Sequence, residues 1–88
     1  MEDTRNDRLK RLDEAYKEIC MHYKQLINYV IRTNQKTTCG RLLEIVQERM
    51  EKSGYHYTTA GIRRVLVQNR LYMSKEELNE RQNRQNAR

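Results

Sequence analysis

Seven apolar residues, Leu9, Leu12, Tyr16, Ile19, Tyr23, Leu26 and Val30, follow one another at alternating intervals of three and four without a break. Such intervals place side chains together only on an α-helix, whose 3.6-residue turn brings every third or fourth position back to one face. The spacing predicts a long helix over residues 7–32. The run fills three heptads of a and d positions, and Ala15, Cys20 and Ile27 widen the stripe on its flanks. A stripe this wide can serve two surfaces, the rest of its own domain and a symmetry mate. The seven residues are therefore the candidate dimer contact; the alternative is one face of an ordinary three-helix core.

The rest of the composition agrees with helices. Proline is absent, glycine occurs three times in 88 residues, and Leu, Arg, Glu, Lys and Gln are abundant. An all-α fold is expected, with one small domain over residues 1–80 and no second core, which excludes most enzyme folds. Only 36% of the chain is hydrophobic and it has neither Phe nor Trp, so the core is thin and must come from Leu, Ile, Val, Met and Tyr. Small helical domains of this kind often gain stability by association, and a homodimer is expected.

No apolar run exceeds three residues, against the roughly 20 needed to cross a bilayer. The opening Met-Glu-Asp-Thr-Arg has no hydrophobic stretch of the signal-peptide type. The expectation is a soluble chain without a membrane partner. Cys20 and Cys39 are too few for a disulfide framework and read as reduced thiols, which suits the cytoplasm, with the nucleoid or a eukaryotic nucleus as the site of action.

Beyond the first helix, Asn34 to Gly40 breaks the periodicity and reads as a loop. Leu42, Leu43, Ile45, Val46 and Met50 then recur at helical spacing, with Glu44, Gln47, Glu48 and Glu51 on the other face and Gly54 at the position of a carboxyl cap. A second helix over 39–53 follows. Tyr55-His56-Tyr57 forms a turn that buries one ring and leaves the other outside, or packs both as core. Ile62, Val65, Leu66 and Asn69 mark one side of a third helix over 59–69. Leu71-Tyr72-Met73 is an extended link, and Ser74-Lys-Glu-Glu77 is a capping box that opens a short polar helix over 75–81. From Arg81 onward the chain repeats Arg-Gln-Asn, so residues 82–88 are expected to form a basic flexible tail.

Charge location narrows the function. The net charge is +6, but residues 1–35 hold seven Lys or Arg against six Asp or Glu. Residues 52–75 instead carry Lys52, Arg63, Arg64, Arg70 and Lys75 with no acid at all. A positive field confined to one segment suits a polyanion. At about 100° per residue, burial of Ile62, Val65 and Leu66 leaves Ala60, Arg63, Arg64, Val67 and Gln68 outward. Arg can bond the acceptor edge of guanine in two places, Gln that of adenine, and Val67 or the methyl of Thr59 can meet a thymine methyl. Thr59, Arg63, Arg64, Val67 and Gln68 are therefore the candidate base contacts on double-stranded DNA.

The helix starts add a second argument. Helix four opens with Glu76 and Glu77, whereas Thr37-Thr-Cys-Gly-Arg41 and Thr58-Thr-Ala-Gly-Ile-Arg63 open without an acid. Their amides stay open to an anion, and Gly40 or Gly61 permits close approach. The plainer explanation is that Thr is a good cap. Candidate phosphate contacts are Lys36, Thr37, Thr38, Arg41, Lys52, Tyr57, Thr58 and Arg70.

Residues 41–71, from Arg-Leu-Leu-Glu-Ile-Val through Ser-Gly-Tyr-His-Tyr-Thr-Thr-Ala-Gly-Ile-Arg-Arg to Arg-Leu, resemble the helix-turn-helix of winged-helix regulators, most nearly the amino-terminal domain of arginine repressors. Gly54-Tyr55 and Thr59 with Arg63 and Arg64 carry the resemblance. It implies DNA binding with the third helix in the major groove. Such domains continue into a two-stranded wing, where this chain has one short extended piece before a capped helix.

No nucleophile elbow, phosphate-binding glycine loop or catalytic carboxylate pair is present, so no enzyme activity, cofactor or small-molecule ligand is inferred. Cys20, His22, Cys39 and His56 match no zinc-finger spacing, and no metal is expected. The expected function is sequence-specific DNA binding by a small homodimeric regulator of transcription or of a mobile element such as a phage or plasmid. Two alternatives remain: a helical protein-interaction adaptor or antirepressor that captures a partner through the heptad helix, and an RNA-binding protein that uses Tyr and the Arg-rich tail.

Overall fold

A computed structural model describes residues 4–86, with side chains described for residues 11–84. Four helices follow one another: α1 (Thr4–Thr33), α2 (Cys39–Lys52), α3 (Thr59–Gln68) and α4 (Lys75–Asn86). There is no strand among the described residues, so residues 71–74 run as a plain link and form no wing there. The all-helical expectation and the first three helices agree with this architecture.

The helix α1 packs against each of the other three, and α2 also packs against α3. The core is made where these faces meet. Ile19, Tyr23, Leu26, Ile27 and Val30 of α1 close against Leu42, Leu43, Val46 and Met50 of α2 and Ile62, Val65 and Leu66 of α3, with Met73 and Leu78 completing the cluster. Burial of such side chains contributes about 1.5–3 kcal/mol each. The Tyr23 hydroxyl, buried among them, is used: it accepts a hydrogen bond from the Met73 amide at 3.1 Å, which ties the link to α1. Burial still pushes the Tyr23 phenol above its ordinary pKa, although the Met73 amide pulls the other way.

The seven-residue stripe of α1 divides. Ile19, Tyr23, Leu26 and Val30 are buried in the chain's own core, with Ala15 at 1% exposure, whereas Leu12 and Tyr16 are 39% and 37% exposed. The Leu9 side chain lies outside the described residues. The expectation of one continuous dimer seam is thus corrected for its carboxyl-terminal half, which has no free surface to offer. The reason is geometric. Leu12 lies five whole turns from Val30, and so on the same face, but α1 with 30 residues is about twice as long as the 14-residue α2, and the face runs on past the helices that cover it.

Three helices end in the same way. In a Schellman closure the amide of C″ bonds the carbonyl of C3, the amide of C′ bonds that of C2, and C′ adopts the left-handed region. Gln35 to Val30 at 3.3 Å and Asn34 to Ile31 at 3.4 Å close α1; Tyr55 to Met50 at 2.9 Å and Gly54 to Glu51 at 3.0 Å close α2. Leu71 to Leu66 at 2.9 Å and Arg70 to Val67 at 3.0 Å close α3. The three C′ residues, Asn34, Gly54 and Arg70, have φ of 52°, 89° and 56°.

The carboxyl-terminal expectation is corrected as well. In place of a flexible tail from residue 82, α4 continues to Asn86; residues 87–88 lie outside the described residues. Leu78 and Gln82, one turn apart, face inward at 3% and 9% exposure. The Gln82 amide donates to the carbonyls of Val30 at 3.2 Å and Gln35 at 2.9 Å, so it adds a second donor to Val30, which the Gln35 amide already bonds, and caps the turn just beyond α1. Arg81 and Arg84 pair with Glu77 and Glu80 along the outer face.

Candidate nucleic-acid interface

The helix α3 is positioned by its apolar side. Ile62 and Leu66 are 0% exposed and Val65 is 5% exposed, which anchors the helix on α1 and α2 and turns its other side outward. Ala60, Arg63, Arg64, Val67 and Gln68 are all exposed and line one shallow hollow of about 310 Å³. Val67, at 54%, is the most exposed large apolar side chain among the described residues. Thr59 is half-buried and is not part of the hollow. Four of the five candidate base contacts therefore share one surface, and Thr59 stands apart from it.

Neither Arg63 nor Arg64 has a carboxylate partner among the described residues; the ion pairs there run within α1, α2 and α4. Arg63 has a different neighbour. Its guanidinium carbon lies 5.3 Å from the centroid of the Tyr72 ring, in cation–π range. Tyr72 in turn stacks on Tyr23, with centroids 6.4 Å apart and planes at 19°. A residue of the link thus holds one arginine of α3 and is itself held by the core. Sequence patterns do not point to Tyr72; a ring flanked by two apolar residues, in a chain with few rings, is the only signal they offer.

The candidate phosphate contacts do not form one group. Lys36, Thr37 and Thr38 share a polar hollow of about 630 Å³ with Lys75, Asn79 and Asn83 between the α1–α2 loop and α4. Arg70 lines a different cleft with Lys24 and Arg81. Tyr57 lines a third hollow, with Tyr55, Arg11, Leu12 and Glu14. Arg41 is exposed and its guanidinium donates to Glu44 at 3.2 Å. Lys52 is exposed at the end of α2.

Both threonine caps are made. The Thr38 hydroxyl accepts from the Arg41 amide at 3.1 Å and the Thr58 hydroxyl from the Gly61 amide at 3.0 Å. Each satisfies one of the free amides at its helix start and keeps its own proton available to an acceptor. Neither α2 nor α3 has an acid in its first turn, whereas α4 has Glu76 and Glu77. Gly40 faces open space, with nothing within 4 Å of where a Cβ would stand; at Gly61 that atom would meet Thr58 Oγ1 at 3.3 Å.

The turn between α2 and α3 spans Ser53 to Thr58, longer than the 3–4 residues of a compact helix-turn-helix. Tyr55 and Tyr57 are both half-buried against the core, so neither ring is wholly inside or outside, and His56 is exposed. Burial, with Tyr16 and Tyr55 nearby, raises the Tyr57 phenol above its ordinary pKa. The Gln47 amide donates to the Tyr57 carbonyl at 3.0 Å and fixes the turn on α2.

Among the described residues no three His, Cys, Asp or Glu side chains gather as a metal site, and no helix is long and apolar enough to cross a membrane. Comparison with protein-family models, curated proteins and solved structures finds no match to this chain.

Proposed function

We propose that this chain binds double-stranded DNA, with the outward face of α3 in the major groove and the chain acting as a small homodimeric regulator. The observation that carries the reading is the hollow formed by Ala60, Arg63, Arg64, Val67 and Gln68. It combines two guanidinium groups without a carboxylate partner among the described residues, an amide and an apolar patch. Those are the groups that distinguish guanine, adenine and the thymine methyl in the major groove. The resemblance of residues 41–71 to winged-helix regulators favours the same placement of the helix, with the longer turn and the plain link in place of a wing as departures.

Thr38 and Thr58, with the uncompensated starts of α2 and α3, supply phosphate contacts that set the register. The dimer contact falls to the amino-terminal part of α1, where Leu12 and Tyr16 remain exposed.

A titration of the whole chain against random duplex at low and moderate salt tests the reading, with an RNA duplex of equal length as competitor. DNA binding that weakens steeply with salt supports it. No binding at any salt points to an adaptor, and preference for RNA points to the RNA reading. Oligomer mass measured on the same sample tests the dimer.

A further inference from the structure

We infer that a second anion site, for one phosphate group, lies away from the α3 hollow, in the cleft between α1, the α3–α4 link and α4. The cleft measures about 310 Å³, and Tyr23 and Tyr72 contribute to its walls. Three cations from three different elements line it: Lys24 from α1, Arg70 from the link and Arg81 from α4. One acid, Glu77, is among the lining residues, and it is already engaged by Arg81 at 3.4 Å. Lys24 and Arg70 have no carboxylate partner among the described residues.

Arg70 strengthens the case by where it sits. It is the C′ residue of α3, at φ 56°, where the equivalent positions of α1 and α2 carry Asn34 and Gly54. Asn and Gly tolerate this region, whereas a long side chain there is strained. The backbone role would be better filled by glycine. The side chain is what glycine lacks, and Arg70 is one of the residues that line the cleft.

Phosphate fits this lining. A guanidinium pairs two phosphate oxygens at once and an ammonium adds a mobile point charge. The phosphate has two possible sources, the backbone of a duplex lying on α3 or a free phosphorylated compound. Only the first rests on the proposed function.

Two measurements on the full chain separate these. In the first, inorganic phosphate is titrated into the free protein at constant ionic strength while the amide resonances of Leu71, Tyr72 and Met73 are followed. Saturable shifts that vanish in Arg70→Gly are expected. In the second, affinity for random duplex is measured against salt for the native chain, Lys24→Gln and Arg70→Gly. Each variant should flatten the plot of log affinity against log salt by about 0.9. Arg70→Gly should also melt at a higher temperature, so weaker binding cannot be ascribed to unfolding.

Flattened plots assign the site to the DNA backbone, with or without shifts by free phosphate. Shifts with unchanged plots, or without any DNA binding, assign it to a free phosphorylated compound. If the native chain binds DNA, the plots are unchanged and phosphate moves nothing, the site is overturned and the α3 reading survives. If phosphate moves nothing and DNA is not bound, both are overturned. An Arg70→Gly chain no more stable than the native one removes the strain argument alone, and the two titrations decide the site.

Discussion

The Arg63 guanidinium rests 5.3 Å from the centre of the Tyr72 ring, across the end of α3 from its own helix turn. An exposed cation–π contact contributes only about 0.5–1 kcal/mol, too little to decide the fold. It is enough to bias the rotamer of a long side chain, and orientation is what a base contact needs. Tyr72→Leu should therefore relax discrimination at the base pair that Arg63 faces, by about 1 kcal/mol or roughly fivefold. Tyr72→Phe keeps the ring and should retain discrimination. Affinities for a matched duplex and one altered at that base pair, measured for both variants, check this; equal losses in the two would mean that the ring is not what orients Arg63.

Gly40 offers a test of the start of α2. A Cβ there meets nothing, so Gly40→Ala should stabilise the helix by about 0.5–1 kcal/mol. The same methyl group would stand in the way of a phosphate approaching the Cys39 and Gly40 amides. The variant should melt higher and bind duplex DNA about fivefold more weakly, the equivalent of about 1 kcal/mol. Thermal unfolding and a DNA titration on one preparation check the two opposite signs together. Tighter or unchanged DNA binding would detach the α2 start from the interface.

His22 sets a pH dependence. Both ring nitrogens are buried without a hydrogen-bond partner among the described residues, and Glu18 Oε1 is 4.0 Å from Nε2, too far to bond. Burial lowers the His22 pKa from its usual 6.5; the nearby positive charge of Arg49 lowers it further, and Glu18 opposes both. A pKa lower in the folded than in the unfolded chain means that the unfolded chain takes up the proton first. Stability is therefore full above the unfolded value and falls as the pH drops below about 6.5. His22→Met should remove the part of this loss that lies above the carboxylate range. Melting temperatures of both chains across that interval check it, and an undiminished fall in the variant would show that His22 is not its source.

Much of this is readable from periodicity. The inward set Ile62, Val65 and Leu66 fixes the outward set by rotation alone, and Arg63, Arg64, Val67 and Gln68 are found together as that rotation requires. Threonine before an apolar run likewise signals both caps. The stripe of α1 misleads because heptad spacing does not say how far along a long helix its own shorter partners reach. The end of α4 is hidden for another reason. Gln82 looks like tail composition, yet its amide serves the carbonyls at the end of α1, a requirement visible only once the two helices are side by side. Arg63 with Tyr72, and the left-handed backbone of Arg70, belong to no repeat at all, since each follows from how the link leaves α3.

The central claim is that the outward face of α3 reads base pairs, and selection of bound sequences from a random duplex pool tests it most directly when the native chain is compared with Arg63→Ala/Arg64→Ala. The native chain should enrich a palindromic sequence with half-sites about 10 bp apart. The double variant should lose about 1–3 kcal/mol for each specific base contact removed and enrich no sequence at those positions. Recovery of the same site with the same affinity by the double variant would contradict the account.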